Sequence, residues 1–406
     1  MARRRLSRWI SVPVLVVAVI ALGVGGGAAA EPKPFLRDLA FPTNLAFAPD
    51  GRLFFTEKST GNVRIVDRGE LLPDPFVTIP VVPDAERGLL GIAIAPDFAE
   101  DPWVYLYLSD ATDGINRLVR VRAEGDRGGS PQVLLEGLDS AAGYHNGGDL
   151  AFGLDGTLFV TIGEAHDPER AQDVRDVGGK IVRLNPDGSI PADNPFGPEE
   201  PAWSYGHRNS FGICVDPDTG ELWETENGPD VNDEVNLIRS GTNYGWPLVT
   251  GRSGDGRFED PVVVFPDTVA LTGCAVVDGA VYFGAYDGRL WRLSADRRDS
   301  GDPDQVASFD AGVTDVVLGP DGLLYVATAD AIWRISPQGS SDQSPTQTPA
   351  SPVEAPPPSS VSAPPTEAAN DEGSGARPWI AAVALAVLAV GLILRFAAGR
   401  RLGRRG

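Results

Sequence analysis

Short apolar runs separated by glycine-containing turns fill the chain between residues 31 and 336. Apolar and polar positions alternate within many of these runs, which predicts β-strands with one buried face. Asp-Gly or an equivalent pair joins many neighbouring runs, and it is a strong hairpin signal because glycine adopts the positive φ that a tight turn needs. No long amphipathic helix interrupts the pattern, so we predict an all-β domain over residues 31–336.

One segment recurs six times along this domain. Each copy contains an apolar strand, a turn, a second apolar strand and further strand residues that often end in Arg-Leu or Arg-Ile. The copies begin with NLAFAPDG, GLLGIAIAPDF, GDLAFGLDG, FGICVDPDTG, GCAVVDGA and VTDVVLGPDG. Their spacing of roughly 40 to 65 residues is typical of propeller blades, which are small sheets that bury their faces against one another. We therefore predict a six-bladed β-propeller. A pair of β-sandwiches is the alternative, but it would not explain six matching segments.

The first 30 residues differ in composition from the propeller segment. They contain a basic start (MARRRLSRW), an apolar run and three alanines, Ala28 to Ala30, before Glu31. This order is typical of a secretory signal peptide, so we predict that residues 1–30 are cleaved off. An uncleaved signal anchor is the alternative, because the apolar run is long for a signal peptide.

The C-terminal part of the chain has three compositions in sequence. Residues 337–377 are rich in Pro, Ser, Thr and Ala and predict a disordered stalk. Residues 378–398 are largely apolar and predict one transmembrane helix. Residues 399–406 are arginine-rich and predict a cytoplasmic tail by the positive-inside rule. The chain is thus expected in the cell membrane as a single-pass protein, with the propeller on the extracytoplasmic side.

Charge and cysteine content narrow the possible partners and compartments. The formal net charge is -22, and the propeller is more acidic still, because nine of the arginines lie in the two ends. Such a surface repels phosphate backbones, so we expect no nucleic-acid partner. The two cysteines, Cys214 and Cys274, could form a disulfide outside the cell. Two buried free thiols are the alternative.

The segment 205–247 carries the strongest chemical signal. It combines His-Arg-Asn at 207–209, a Glu-Asn-Gly-Pro-Asp run, Asp233-Glu234 and an Asn-Tyr-Gly-Trp-Pro turn. These residues are too polar and glycine-rich for a plain sheet core and indicate functional loops. The segment resembles the signature region of the glucose/sorbosone dehydrogenases, which depend on pyrroloquinoline quinone (PQQ). Two further segments, GYHNGGDLAFG and AERGLLGIAIAPDF, resemble the same family.

The resemblance implies a quinoprotein that oxidises an aldose at C1 to its lactone, with hydride passing to PQQ and Ca²⁺ assisting. His145 matches the histidine that takes the proton of the anomeric hydroxyl, a role that suits a residue titrating near neutral pH. Arg208 and Asn209 match the residues that hold the quinone. The implied sugar contacts are Glu86, Arg87 and Tyr144. The implied calcium ligands, a mixture of carbonyl and carboxylate oxygens, are Gly228, Pro229, Glu234 and Tyr244. A respiratory electron acceptor is the implied redox partner.

The other two histidines are interpreted structurally. His207 is expected to support Arg208, and His166 is expected in a surface loop.

A second function stays open because expected cations are missing. Enzymes of the family supply a lysine in the fifth repeat and an Arg-x-Arg pair leading into the sixth. Here Tyr286 and Asp287 stand near the first position, and Gly312 and Thr314 stand at the second. PQQ carries three carboxylates, which bidentate cations normally hold. The alternative is therefore a propeller without the quinone that acts as a calcium-stabilised carbohydrate- or protein-binding module. Hydrolysis by a lactonase-like propeller is a third and weaker option.

Overall fold

The computed structural model describes residues 31–140, 143–294 and 302–337. Within them, strands dominate and the one helical segment is a short 3-10 helix, Pro168–Gln172. No helix in these described ranges is both long and apolar enough to cross a membrane. The predicted signal peptide, the transmembrane helix, the cytoplasmic tail and the stalk beyond residue 337 lie outside the described residues.

The strands form six antiparallel sheets of four or five strands each. The chain begins with β1 (Lys33–Leu36), whose partner strand comes last in the sequence. Blade 1 contains β2 (Pro42–Phe47), β3 (Leu53–Glu57), β4 (Asn62–Asp67), β5 (Glu70–Leu71) and β6 (Val77–Thr78). Blade 2 contains β7 (Leu89–Ile94), β8 (Trp103–Ser109), β9 (Asn116–Glu124), β10 (Arg127–Gly128) and β11 (Gln132–Leu138).

Four-stranded sheets make up the other four blades. Blade 3 contains β12 (Gly147–Phe152), β13 (Leu158–Ile162), β14 (Lys180–Leu184) and β15 (Ala202–Tyr205). Blade 4 contains β16 (Ser210–Val215), β17 (Leu222–Glu226), β18 (Asp233–Ile238) and β19 (Val263–Phe265). Blade 5 contains β20 (Leu271–Val277), β21 (Ala280–Ala285), β22 (Arg289–Ser294) and β23 (Asp304–Ser308). Blade 6 contains β24 (Val313–Leu318), β25 (Leu324–Thr328) and β26 (Ala331–Ile335), with β1 as its outer strand.

The six repeats of the sequence correspond to the six blades, which confirms the predicted six-bladed β-propeller and excludes the β-sandwich alternative. The Asp-Gly turns behave as expected: Gly51, between the first two strands of blade 1, has a φ of 91°. Large apolar side chains of adjacent sheets fill the space between the blades, among them Tyr105, Tyr107 and Trp223, all without exposed surface. Blades therefore bury their faces against their neighbours.

The ring is closed by a strand that the repeat pattern does not contain. Strand β1 pairs antiparallel with β26, with Lys33 opposite Arg334 and Pro34 opposite Trp333. Blade 6 thus combines residues from both ends of the domain, which fastens the first part of the ring to the last. The inner strands of consecutive blades pack against one another all the way round, and β24 returns to β2.

The disulfide question is answered at the inner strands of blades 4 and 5. Cys214 on β16 and Cys274 on β20 are bonded, with their Cα atoms 5.7 Å apart. The free-thiol alternative is therefore wrong for this structure. The bond is a covalent link between two neighbouring blades, 60 residues apart in the sequence.

The inner strands run in step, so the loops that lead into them meet at one end of the central channel. Hydrogen bonds between neighbouring inner strands show this alignment: the Gly147 amide donates to Asn209 Oδ1 at 3.2 Å, and the Ile213 amide donates to Asp149 Oδ2 at 2.8 Å. We call this end the entrance face. Its loops include residues 84–88, 143–146 and 206–209.

Candidate active site

Three loops of the entrance face bring the predicted residues into contact. Glu86 precedes β7, His145 precedes β12, and Asn209 precedes β16. Glu86 Oε2 accepts hydrogen bonds from the backbone amide of His145 at 2.7 Å and from Asn209 Nδ2 at 3.2 Å. Residues predicted separately as sugar contact, general base and quinone contact therefore share one carboxylate. Burial raises the pKa of Glu86, because removing a carboxylate from water disfavours its charged form.

His145 is held in one orientation by a residue that the sequence reasoning missed. Its Nδ1 lies 2.8 Å from Glu164 Oε1, and both side chains are buried. When Nδ1 carries the proton and donates to Glu164, Nε2 of the neutral ring keeps a lone pair and can accept a proton. The backbone is also specialised here, since His145 has a φ of 57°. Gly163 is required beside it, because a Cβ at that position would lie 2.0 Å from the carbonyl oxygen of His145.

His166 covers the ring of His145. The prediction of a surface loop is confirmed by its exposure, but the two imidazoles also stack with their centroids 3.9 Å apart. Burial lowers the pKa of His166, and the neighbouring charge of His145 acts in the same direction. Tyr144, a predicted sugar contact, is half exposed. Its ring and that of His166 are nearly perpendicular, with their centroids 5.7 Å apart. His145 is thus reached from solvent past an aromatic border.

Arg87, the remaining predicted sugar contact, is engaged elsewhere. Its guanidinium forms a two-point pair with Asp84, with Nε 2.6 Å from Oδ1 and Nη2 2.7 Å from Oδ2. The structure therefore brings Glu86 against His145, puts Tyr144 at the border, and turns Arg87 toward Asp84.

Arg208 lies close enough to this cluster to interact electrostatically with Glu86 and Glu164. Its Nη1 donates to the carbonyl of Asn227 at 2.9 Å, while its Nε is buried and has no acceptor among the described residues. The guanidinium lies 5.4 Å from the ring centroid of Trp246. Burial lowers the pKa of Arg208, and the carboxylates of Glu164, Glu226 and Glu86 oppose that shift. An unpaired guanidinium in such a place is suited to binding an anionic group.

Three of the four predicted calcium ligands line a small cavity beside Arg208. Gly228, Glu234 and Tyr244 line it together with Glu226 and Asn227, and its volume of about 10 Å³ is that of one water molecule or ion. Burial and the charge of Glu226 raise the pKa of Glu234 to about 8. Asn227 Oδ1 is buried here without a hydrogen-bond donor among the described residues.

Glu234 and Tyr244 also form hydrogen bonds with the backbone around this cavity. Glu234 Oε1 accepts from the Gly251 amide at 2.6 Å, and the Tyr244 hydroxyl donates to the Leu237 carbonyl at 2.7 Å. Pro229 is exposed in the turn that follows Gly228. Carboxylate, amide and carbonyl oxygens around one ion-sized space form a donor set that Ca²⁺ prefers.

His207 supports Arg208 indirectly, through a buried cluster that the sequence reasoning did not identify. His207 Nδ1 lies 3.1 Å from Glu226 and 3.5 Å from Glu224, and Nε2 lies 2.8 Å from Ser204 Oγ. Burial alone would lower the pKa of His207, but the two carboxylates raise it to about 9. Glu226 also accepts a hydrogen bond from the Arg208 backbone amide.

The donor atoms of His207, Glu224 and Glu226 lie within 4.8 Å of one another, the spacing of a metal site. The raised pKa of His207 favours its protonated form, in which the cluster is a buried ion pair. It holds the start of β16 in place.

The acidic residues that the sequence analysis missed share one position in their blades, and that position could have identified them. Glu57, Glu164 and Glu226 lie at or just after the end of the second strand in blades 1, 3 and 4. Those strands end at the entrance face, so an acid there points to the site only once the propeller repeat has been recognised.

Comparisons with known proteins agree with this geometry. Residues 39–335 match the family model for "Glucose / Sorbosone dehydrogenase". The aldose sugar dehydrogenase YliI of Escherichia coli is 32% identical over 346 residues, which cover 74% of this chain and 91% of that protein. Quinoprotein glucose dehydrogenase B of Acinetobacter calcoaceticus is 33% identical over 262 residues, 56% of this chain and 54% of that protein.

A solved structure matches a similar share of the chain. The PQQ-bound aldose sugar dehydrogenase of Streptomyces coelicolor superposes with a TM-score of 0.68 at 33% identity, over 76% of this chain and 98% of that structure. The chain therefore belongs to the glucose/sorbosone dehydrogenase family and is a β-propeller of the sugar dehydrogenase class.

Proposed function

We propose that this protein is a PQQ-dependent, calcium-assisted aldose dehydrogenase that oxidises a sugar at C1 to its lactone. The observation that carries the proposal is the His145–Glu164 pair, 2.8 Å apart at the entrance face and joined through Glu86 to Asn209, the neighbour of Arg208. A base oriented by a carboxylate, next to an unpaired cation and an ion-sized acidic pocket, is the set of groups that this reaction needs.

The chain's own residues divide the reaction between them. Nε2 of His145 accepts the proton of the C1 hydroxyl as the hydride leaves the same carbon. Glu164 stabilises the imidazolium that forms, because its carboxylate already faces Nδ1. Glu86 fixes the backbone of His145 and stands where a sugar hydroxyl can meet it. PQQ, when bound, supplies the carbonyl carbon or ring position that takes the hydride.

The residues present fit one charged end of PQQ. Arg208 has a buried donor that finds no partner in the described part of the chain, and Asn209 lies beside it. The cavity lined by Gly228, Glu226 and Glu234 fits Ca²⁺, whose positive charge would offset the acids and polarise the quinone. Both features lie at the same loop end of blade 4, so one ligand can meet the cation and the ion together.

We also propose that the enzyme is tethered to the cell membrane with the propeller outside, and that it passes electrons to a respiratory acceptor. The apolar segment 378–398 and the arginines of 399–406 support the tether. The Cys214–Cys274 bond supports an oxidising compartment.

Two measurements on the full-length protein test the proposal. One is a calorimetric titration with PQQ in the presence of Ca²⁺, and the other is an assay of dye reduction by an aldose. We expect saturable binding at micromolar PQQ and reduction of the dye. His145→Ala should lower kcat by at least about 100-fold, since it removes the general base, and leave the Kd for PQQ unchanged. A wild-type protein that binds no PQQ at micromolar concentration would show the proposal to be wrong.

One observation favours a second function, a calcium-stabilised module that binds carbohydrate or protein. Tyr286, Gly312 and Thr314 are uncharged, although the family places cofactor-binding cations at these positions. The same titration separates the two functions, because the module would bind Ca²⁺ and a glycan but no PQQ.

A further inference from the structure

The entrance face carries an aromatic surface at the place where cofactor-binding cations are expected. Tyr286, in the turn after β21, is 48% exposed, and its ring centroid lies 6.3 Å from that of Phe41, which precedes β2. The two rings are tilted by 32°. Tyr286 comes from blade 5 and Phe41 from blade 1, so the pair spans the rim of blade 6.

The two other positions that lack a cation serve this aromatic pair. A Cβ on Gly312 would lie 2.6 Å from both the ring and the backbone carbonyl oxygen of Tyr286, so the glycine leaves the space that this residue occupies. Gly312 has no positive φ that would itself require glycine. Thr314 Oγ1 donates to the carbonyl of Pro42 at 2.7 Å and so anchors the segment that bears Phe41. Three positions without the expected cation thus build one local structure.

The backbone of Phe41 is held in an unusual conformation directly before the inner strand of blade 1. Phe41 has a φ of 61°, a left-handed conformation that is costly for a bulky residue. Its carbonyl accepts from the Lys58 amide at 3.0 Å, and Lys58 Nζ lies 5.8 Å from the ring centroid. Phe41 is thus fixed through its backbone and is only partly buried.

The aromatic pair is connected to Arg208 by a short chain of hydrogen bonds. The Tyr286 amide donates to the carbonyl of Ala270 at 2.7 Å. Asn227 Nδ2 donates to the next carbonyl, that of Leu271, at 3.0 Å, and the carbonyl of Asn227 accepts from Arg208. Tyr286 and Arg208 are therefore linked, through residues 270–271 and Asn227, by the loops of blades 4 and 5 at the entrance face.

We propose that Phe41 and Tyr286 form a stacking platform for the flat ring system of the quinone, in place of the cations that grip its carboxylates in related enzymes. Arg208 and the calcium pocket hold the charged end, and the platform contacts the ring face through dispersion and quadrupole interactions. The platform rests on the proposed function, because its ligand is PQQ. It also predicts that binding depends on a ring at position 286 and not on the tyrosine hydroxyl.

Calorimetric titration of the full-length protein with PQQ at fixed Ca²⁺ tests the platform with a matched pair of variants. Tyr286→Phe keeps the ring, and we expect the wild-type Kd within about twofold. Tyr286→Leu keeps an apolar side chain of similar size without the ring, and we expect a Kd about fivefold to tenfold higher. Both variants should retain wild-type Ca²⁺ affinity, because Tyr286 does not line the calcium cavity.

The outcomes separate this inference from the proposed function. If the wild type and both variants share one Kd for PQQ, the platform is wrong and the proposed function stands. If Tyr286→Phe binds as weakly as Tyr286→Leu, the hydroxyl and not the ring is the contact, and the platform is again wrong. If the wild type binds no PQQ, the proposed function fails and the platform fails with it.

Discussion

At the scale of single residues, the site depends on carboxylates that give neighbouring groups one orientation. Glu86 fixes the backbone of His145 and the side chain of Asn209, while Glu164 fixes the imidazole. Each contact joins residues from different blades or from different strands of one blade. The chemistry of His145 is therefore set by groups far from it in the sequence.

Glu164→Gln tests the role of this carboxylate. Glutamine has the same shape and can still accept from Nδ1, but it cannot stabilise an imidazolium with a negative charge. We expect kcat for aldose oxidation to fall by on the order of 100-fold, with KM for the sugar within about twofold. Steady-state kinetics at saturating PQQ and Ca²⁺ measure both constants. A raised KM with an unchanged kcat would instead indicate that Glu164 only shapes the sugar pocket.

At the scale of elements, the turn between β17 and β18 contributes the proposed ion site. The strands Leu222–Glu226 and Asp233–Ile238 direct Glu226 and Glu234 toward one cavity, and Asp233 closes the turn by accepting from the Gly228 amide at 2.9 Å. Two buried acids so close together repel each other, since the charge of Glu226 contributes to the raised pKa of Glu234. A bound cation would remove that repulsion.

Calcium removal should therefore destabilise the propeller. At a Ca²⁺ concentration 100 times its Kd, binding contributes about 2.7 kcal/mol to the free energy of unfolding. In a domain of about 300 residues that corresponds to a Tm about 4 °C higher than with EDTA. Thermal unfolding in Ca²⁺ and in EDTA measures the difference. Glu234→Gln is the matched control, and it should lose most of the response; an equal response in both proteins would exclude Glu234 as a ligand.

At the scale of the whole molecule, a buried hydrogen-bond network joins the inner strands of three blades. Asn44 Nδ2 donates to Asp149 at 3.0 Å and to Asp315 at 3.1 Å, from the inner strands of blades 1, 3 and 6. Both carboxyls are buried, and backbone amides of neighbouring blades donate to them. Burial raises the pKa of Asp149 to about 6, and burial and the charge of Asp149 raise that of Asp315.

This hydrogen-bond network predicts how the free energy of unfolding changes with pH. The folded state holds the proton of Asp149 more tightly than the unfolded chain, so the free energy of unfolding falls as the pH rises from about 4 to above 6. A shift of about two units corresponds to roughly 3 kcal/mol. Asp149→Asn removes this titration, so the Tm of the variant relative to wild type should rise between pH 4 and pH 7.

Thermal unfolding of both proteins at the two pH values measures that change. Asp278→Asn, in an exposed turn, is the control and should keep a constant difference from wild type. A Tm difference for Asp149→Asn that is equal at pH 4 and pH 7 would contradict the assignment.

The blade pattern could be predicted from the sequence because its cause is local. Each copy alternates apolar residues and ends in a turn such as the one at Gly51, so six copies identify six sheets before any contact is known. The segment 205–247 likewise contains Arg208, Asn209 and Glu234, which all belong to one blade. Short-range patterns of this kind depend on residues close together in the chain.

What the sequence determined by itself was the repeat, the family resemblance and the identity of His145 as a candidate base. Only the tertiary structure decided that β1 closes blade 6, that Cys214 and Cys274 are bonded, and that Glu164 orients His145. It also showed that Tyr286, at a position where the family resemblance implied a cation, forms an aromatic pair with Phe41. These features join residues from different strands and mostly from different blades, and such contacts exist only once the ring has closed.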